Sequence, residues 1–108
     1  MIQGFTGILK SLFIKKYKYI TLIMVKVLYN GTFDPVTKGH EDLVYRASEL
    51  FEKVVIGIFD TPAKSLLFTT AERVELFIKS TKNLKNVEVL PYRGLSVNFA
   101  ESINAKAI

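Results

Sequence analysis

His40 is the only histidine of the chain, and it closes the run Tyr29-Asn30-Gly31-Thr32-Phe33-Asp34-Pro35-Val36-Thr37-Lys38-Gly39-His40. An imidazole can donate a hydrogen bond to a phosphate oxygen, or carry positive charge beside one. The Thr32 hydroxyl can bond the same kind of oxygen. Gly31 permits close backbone approach or positive φ in a turn. Asp34-Pro35 is turn chemistry, and Thr37 either caps a following helix through its side chain or touches a ligand. Lys64, in the proline loop Thr61-Pro62-Ala63-Lys64, is a flexible point charge able to reach a phosphoryl group. Cysteine is absent, no serine has a second base beside it, and no His or acidic cluster has metal-ligand spacing. The chemistry left is phosphoryl or nucleotidyl transfer by positioning and charge stabilisation, without a covalent enzyme intermediate.

The elements around these residues place them at one edge. Val25–Tyr29 reads as a strand. Glu41–Lys53 reads as a helix starting near Gly39-His40, with Leu43, Val44, Ala47, Leu50 and Phe51 on one face. Val54–Phe59 is continuously apolar, as strands buried on both faces are. Thr69 and Glu72 form a capping box, so a second helix runs to about Thr81. Asn86–Leu90 is a third strand, Pro91–Gly94 a loop, Ser96–Ile103 a third helix, and Ala105–Ile108 the first residues of a fourth strand. The order β-α-β-α-β-α-(β) predicts an α/β fold: a Rossmann-like parallel sheet with helices on both faces, truncated in the fourth strand. Ligands of such sheets bind outside the carboxyl ends of the strands. Gly31–Asp34, Thr61–Lys64 and Tyr92–Ser96 all fall there. A helix N-terminus at Gly39-His40 adds unpaired N–H groups and a partial positive charge suited to phosphate.

The chain has 108 residues, enough for one small domain, and 49% of them are hydrophobic, an ordinary share for a globular core. Without cysteine there is no disulfide framework or thiolate zinc site, which agrees with a cytoplasmic protein. The net charge of +5 is uneven: residues 1–23 contribute +4 through Lys10, Lys15, Lys16 and Lys18, and the rest only +1. The body is nearly neutral, so no nucleic-acid partner is expected. In residues 1–23 no apolar run approaches the ~18 residues of a membrane span, and nothing resembles a secretory signal. This segment is read as a basic apolar extension, not necessarily native, because Met24 opens the first strand directly. Residues 24–108 are read as the N-terminal part of a domain.

The pattern G-T-F-D-P-x-T-x-G-H after a strand resembles the nucleotidylyltransferase superfamily, and within it phosphopantetheine adenylyltransferases of the T-x-G-H type. Arg46-Ala47, Thr61–Lys64, Phe68-Thr69 with Glu72-Arg73-Val74, Asn86–Val89 and Gly94–Ala100 follow that family's order and spacing. The resemblance covers about residues 24–108. It departs at Asn30, where proline is common, and at Ser96, where the family usually has a larger apolar residue. The family's R-G-x-R motif would begin just past Ile108, with a serine-rich nucleotide motif further on, so the chain is expected to be the front part of a larger domain.

The resemblance implies adenylyl transfer from ATP to 4′-phosphopantetheine, giving dephospho-coenzyme A and pyrophosphate in coenzyme A biosynthesis. It implies that Thr32, Phe33 and His40 contact ATP, that Thr32, Lys64 and Ser96 contact pantetheine phosphate or its channel, and that His40 and Lys64 stabilise the reacting phosphoryl group. It implies magnesium carried with ATP, for which no protein ligand is assigned. It also implies a cytoplasmic homo-oligomer, hexameric in the family when the full-length chain is present, with no membrane partner. Two rivals stay open. One is another nucleotidylyltransferase, acting on nicotinamide mononucleotide or transferring cytidylyl groups, although those relatives more often carry histidine where this chain has Thr37. The other is an inactive, truncated nucleotide-binding remnant. A membrane-surface or nucleic-acid binder would rest on residues 1–23 alone.

Overall fold

A computed structural model describes residues 25–62 and 65–108. The expectations for residues 1–23 and for Met24, Ala63 and Lys64 lie outside the described residues. Three parallel strands form one sheet in the order β1-β2-β3: β1 is Lys26–Gly31, β2 Lys53–Phe59 and β3 Val87–Tyr92. Between and after them come α1 (Lys38–Leu50), α2 (Thr70–Ser80) and α3 (Ser96–Ser102).

The fourth strand is present as a parallel bridge between Ala107 and Val27. The Val25 carbonyl takes the Glu52 N–H on the β2 side, while Lys26 and Leu28 bond Lys106 and Ala107 on the other. Ala107 therefore lies beside β1 at the edge opposite β2. With it, the spatial order becomes Ala107-β1-β2-β3. This is the open, Rossmann-like α/β arrangement that the element order predicts.

Successive strand residues point to opposite faces, and the core divides accordingly. On one face Val27, Val54, Ile56 and Ile58 pack with Val44 of α1, Phe77 of α2 and Phe33. On the other, Leu28 and Val55 pack with Phe99, Ala100 and Ile103 around α3. Val54 to Ile58 are five consecutive buried residues, as the unbroken apolar run requires of a central strand. Gly57 is the exception in size. A Cβ there would meet Leu28 and Phe99 at 3.0 Å and Tyr92 at 3.2 Å. Its absence lets the Tyr92 and Phe99 rings, stacked 4.7 Å apart, lie close over the middle strand.

Two boundaries and one burial pattern differ from expectation, each for a local reason. Lys53 belongs to β2, paired in register with Lys26 and bridged to Glu88 at 2.8 Å, and Phe51 has already turned extended. Leu43 and Leu50, expected in the apolar stripe of α1, are about half exposed; Leu43 lines an open apolar groove with Ala47 and Phe51, beside Val27, Tyr29, Val54 and Ala107. Pro91 and Tyr92, expected in a loop, complete β3. Asn86 and Tyr92 both present their carbonyls to β2, so the Pro91 nitrogen faces the outer edge and removes no ladder bond.

Candidate functional site

The carboxyl end of β1 is where the chain's connections part company. One crosses through α1 to β2, and the other returns through α3 to Ala107. A sheet of this kind opens a crevice at such a point.

The loop after β1 is built around Phe33. Its backbone is left-handed at φ 51°, an uncommon state for a bulky residue. Of the two roles open to Gly31, close approach or positive φ, the positive φ of this turn falls to Phe33. The role left to Gly31 is space, since a Cβ on it would come within 3.1 Å of the Phe33 ring. That ring is buried and packs edge-on against Phe77 (4.9 Å), Tyr29 (5.2 Å) and His40 (4.9 Å between centroids). Burial also raises the Tyr29 phenol above its ordinary pKa.

His40 is held from two directions. Thr37 is the N-cap of α1, and its Oγ1 accepts from the His40 N–H at 3.3 Å. In return the Thr37 N–H donates to His40 Nδ1 at 2.9 Å. Histidine thus takes the third helical position that glutamate or glutamine usually fills in a capping box. Because Nδ1 is the acceptor, the neutral ring carries its proton on Nε2. The cap fixes the tautomer, Phe33 fixes the ring plane, and Nε2–H, without a partner among the described residues, is the donor left for a ligand. The amides of Lys38 and Gly39, at the start of α1, have no partner within the helix.

The loop after β2 is tied across to this corner. The Asp34 carboxylate accepts from the Leu67 N–H at 2.7 Å and the Phe68 N–H at 2.9 Å. Asp34, read from sequence as turn chemistry, is therefore the clasp between two site loops. Removing it as Asp34→Ala leaves two amides without their acceptor. The expected cost is about 1–3 kcal/mol, with faster hydrogen exchange at Leu67 and Phe68; unchanged exchange there would contradict this role.

Asp60, just past β2, accepts from the Arg93 Nε–H and, at 2.8 Å, from the Thr70 hydroxyl. The Arg93 hydrogen bond first, and Thr70 second, lower its pKa from the ordinary 3.8. A carboxyl with a lowered folded-state pKa stabilises the fold above its unfolded pKa and loses that contribution as pH falls through the folded value. Asp60→Asn is expected to remove part of the acid-side fall in melting temperature, below pH 3.8. An unaltered acid limb would count against it.

Thr32 is exposed at the end of β1, and its carbonyl accepts from Arg73 at 2.8 Å. Ser96 opens α3 and accepts from Asn30 Nδ2 at 2.7 Å, within a triangle that includes the Tyr92 hydroxyl. Tyr29 lies on the His40 side of β1 and Asn30 on the Ser96 side. The structure thus gathers Phe33 and His40 on one face of this strand end and sets Ser96 on the other, with Thr32 just past the strand. Lys64 lies outside the described residues. Sequence reasoning missed the contacts of Arg73, Asn30 and Tyr92. Arg73 carried a signal: it lies four residues before Phe77, on the helix stripe that faces the core. Among the described residues no three His, Asp or Glu side chains gather as a metal cage, and Asp34 and Asp60 are committed to protein donors.

A strand, a strained loop and a histidine-capped helix at the parting of a parallel sheet define an open α/β protein of the Rossmann-like class. Residues 28–108 match the cytidylyltransferase-like family, and the chain belongs to that family. It is similar to the phosphopantetheine adenylyltransferase of Clostridium botulinum strain Eklund 17B (Type B), 48% identical over 81 residues, covering 75% of this chain and 51% of that protein. It is also similar to the phosphopantetheine adenylyltransferase of strain Alaska E43 (Type E3), 46% identical over 85 residues, covering 79% and 54%. The chain spans about half the length of these curated relatives.

Proposed function

We propose that the chain carries the nucleotide-binding corner of a nucleotidyltransferase that moves an adenylyl group from ATP to 4′-phosphopantetheine. The observation that carries this is the His40 arrangement: a tautomer fixed by Thr37 at a helix start beside β1, with Nε2–H unpartnered among the described residues. The names of the two relatives supply the substrates. A phosphate oxygen of 4′-phosphopantetheine attacks the α-phosphorus of ATP, the bond to the β-phosphate bridge breaks, and pyrophosphate leaves with dephospho-coenzyme A as the other product. The attacking oxygen is already anionic, so the reaction needs alignment and charge stabilisation more than a base.

In this reading His40 donates from Nε2 to the reacting phosphoryl group. Thr32 and Phe33 contact ATP, and Thr32 also meets the acceptor phosphate. Lys64 adds positive charge to the same group, and Ser96 borders the pantetheine arm. Magnesium arrives with ATP, held by phosphate oxygens and water, where it neutralises charge; no protein ligand is assigned. The protein would work in the cytoplasm as a homo-oligomer, without a nucleic-acid or membrane partner. Among the described residues no helix is long and apolar enough to cross a membrane. Pyrophosphate release should require ATP and 4′-phosphopantetheine together. Equal release with nicotinamide mononucleotide as acceptor, or with CTP in place of ATP, would contradict the substrate assignment.

A further inference from the structure

We infer that Arg73 is a positioning residue for the nucleotide: its guanidinium holds the Thr32–Phe33 peptide so that the Phe33 N–H faces the ligand edge. The inference rests on the ATP reading above for the identity of that ligand.

Arg73 is only 1% exposed, and arginine is almost never so buried unless its donors are matched. Here they are matched by oxygens from separate segments. Nη1 donates to the Thr32 carbonyl at 2.8 Å and the Phe59 carbonyl at 3.0 Å, Nε to the Phe68 carbonyl at 3.2 Å, and Nη2 to Thr70 Oγ1 at 2.9 Å. These acceptors lie in the loop after β1, at the end of β2, in the loop before α2 and at the start of α2. None is a carboxylate, so a planar fork of fixed donors fixes the geometry of neutral groups.

The consequence follows from peptide geometry. The C=O and N–H of a trans peptide point in opposite directions, and the cis bond of this turn is at Asp34-Pro35, not at Phe33. With the Thr32 carbonyl drawn onto Arg73, the Phe33 N–H points away from α2. It has no protein acceptor among the described residues. The left-handed Phe33 backbone is the conformation that accommodates this orientation, and such conformations persist where the surroundings over-determine them. Arg73 acts on the peptide from behind, while Phe77, Tyr29 and His40 confine the ring. The outward N–H is then a donor for a nucleotide phosphate, one residue on from the exposed Thr32.

Arg73→Lys and Arg73→Met test this with two readings each: the Phe33 backbone φ by NMR without ligand, and ATP affinity. We expect Phe33 to leave the left-handed region in both variants. ATP should bind about tenfold more weakly, as suits one lost hydrogen bond, with KM for ATP rising more than kcat falls. Lysine should restore little, since an ammonium cannot span the Thr32 and Phe59 carbonyls in a fixed plane. Folded variants with Phe33 still left-handed would overturn the inference, as would a changed φ with unchanged ATP affinity. If both variants fail to fold, the wild-type chain decides: the Phe33 amide resonance must shift on ATP binding, and a stationary one overturns the inference. A wild-type chain that binds no ATP defeats the adenylyl-transfer reading instead, and the φ of the variants still judges Arg73 as the holder of this peptide.

Discussion

Replacing His40 should lower kcat by about 10²–10³-fold, the usual effect of removing one preorganised donor from developing charge. Two substitutions separate its two roles. His40→Ala removes the Nε2–H donor and also the acceptor of the Thr37 N–H, so it should cost turnover and about 1 kcal/mol of stability through the lost cap. His40→Gln places a side-chain oxygen where Nδ1 stood, the usual third-position partner of a threonine cap. It should keep the melting temperature and still lose turnover. Pyrophosphate release and thermal unfolding of both proteins check this. A glutamine variant of near wild-type rate would mean that Nε2–H contributes nothing to the reaction.

Phe77→Ala should be the most destabilising single change in the described core, at about 3–5 kcal/mol. Phe77 is fully buried at the centre of the larger cluster, and its ring meets Phe33 edge-on at 4.9 Å. The cavity would open behind the residue whose backbone is left-handed and whose ring braces His40. The effect should therefore reach the site as well, with His40 losing its fixed orientation. Chemical denaturation measures the first part and the His40 ring resonances the second. A loss below about 1 kcal/mol would mean that the cluster closes over the gap.

Much of this architecture could be read along the chain, because its signals are local. Thr69 and Glu72 announced α2, and the apolar run Val54–Ile58 announced a strand covered on both faces. The alternation of elements then placed Gly31–Asp34 and Ser96 at the carboxyl edge. What escaped depends on direction in space. Pro91 reads as a breaker until the pairing shows its nitrogen on the edge of β3 turned away from β2. Thr37 and His40 form a capping box that the usual threonine-to-glutamate pattern does not flag, because imidazole replaces the carboxylate. Asp34 could be a plain turn residue or a clasp, and only the arrival of Leu67 and Phe68 from a distant loop decides it. Arg73 looks like a solvated helix charge unless its place on the Phe77 stripe is weighed. Leu43 shows the converse: helical spacing gives the face it lies on but not how far that face is covered, and here it borders an open apolar groove on the sheet.

The contact to test is the one between a nucleotide phosphate and the Nε2–H of His40, whose tautomer is set by its own helix cap. Nitrogen-15 spectra of the His40 ring, recorded before and after saturation with ATP and magnesium, test it most directly. In the free chain the neutral ring should have an unprotonated Nδ1 and a protonated Nε2, and the Nε2–H resonance should shift markedly when ATP binds. A proton on Nδ1 in the neutral ring, or an Nε2–H unmoved by bound ATP, would contradict this.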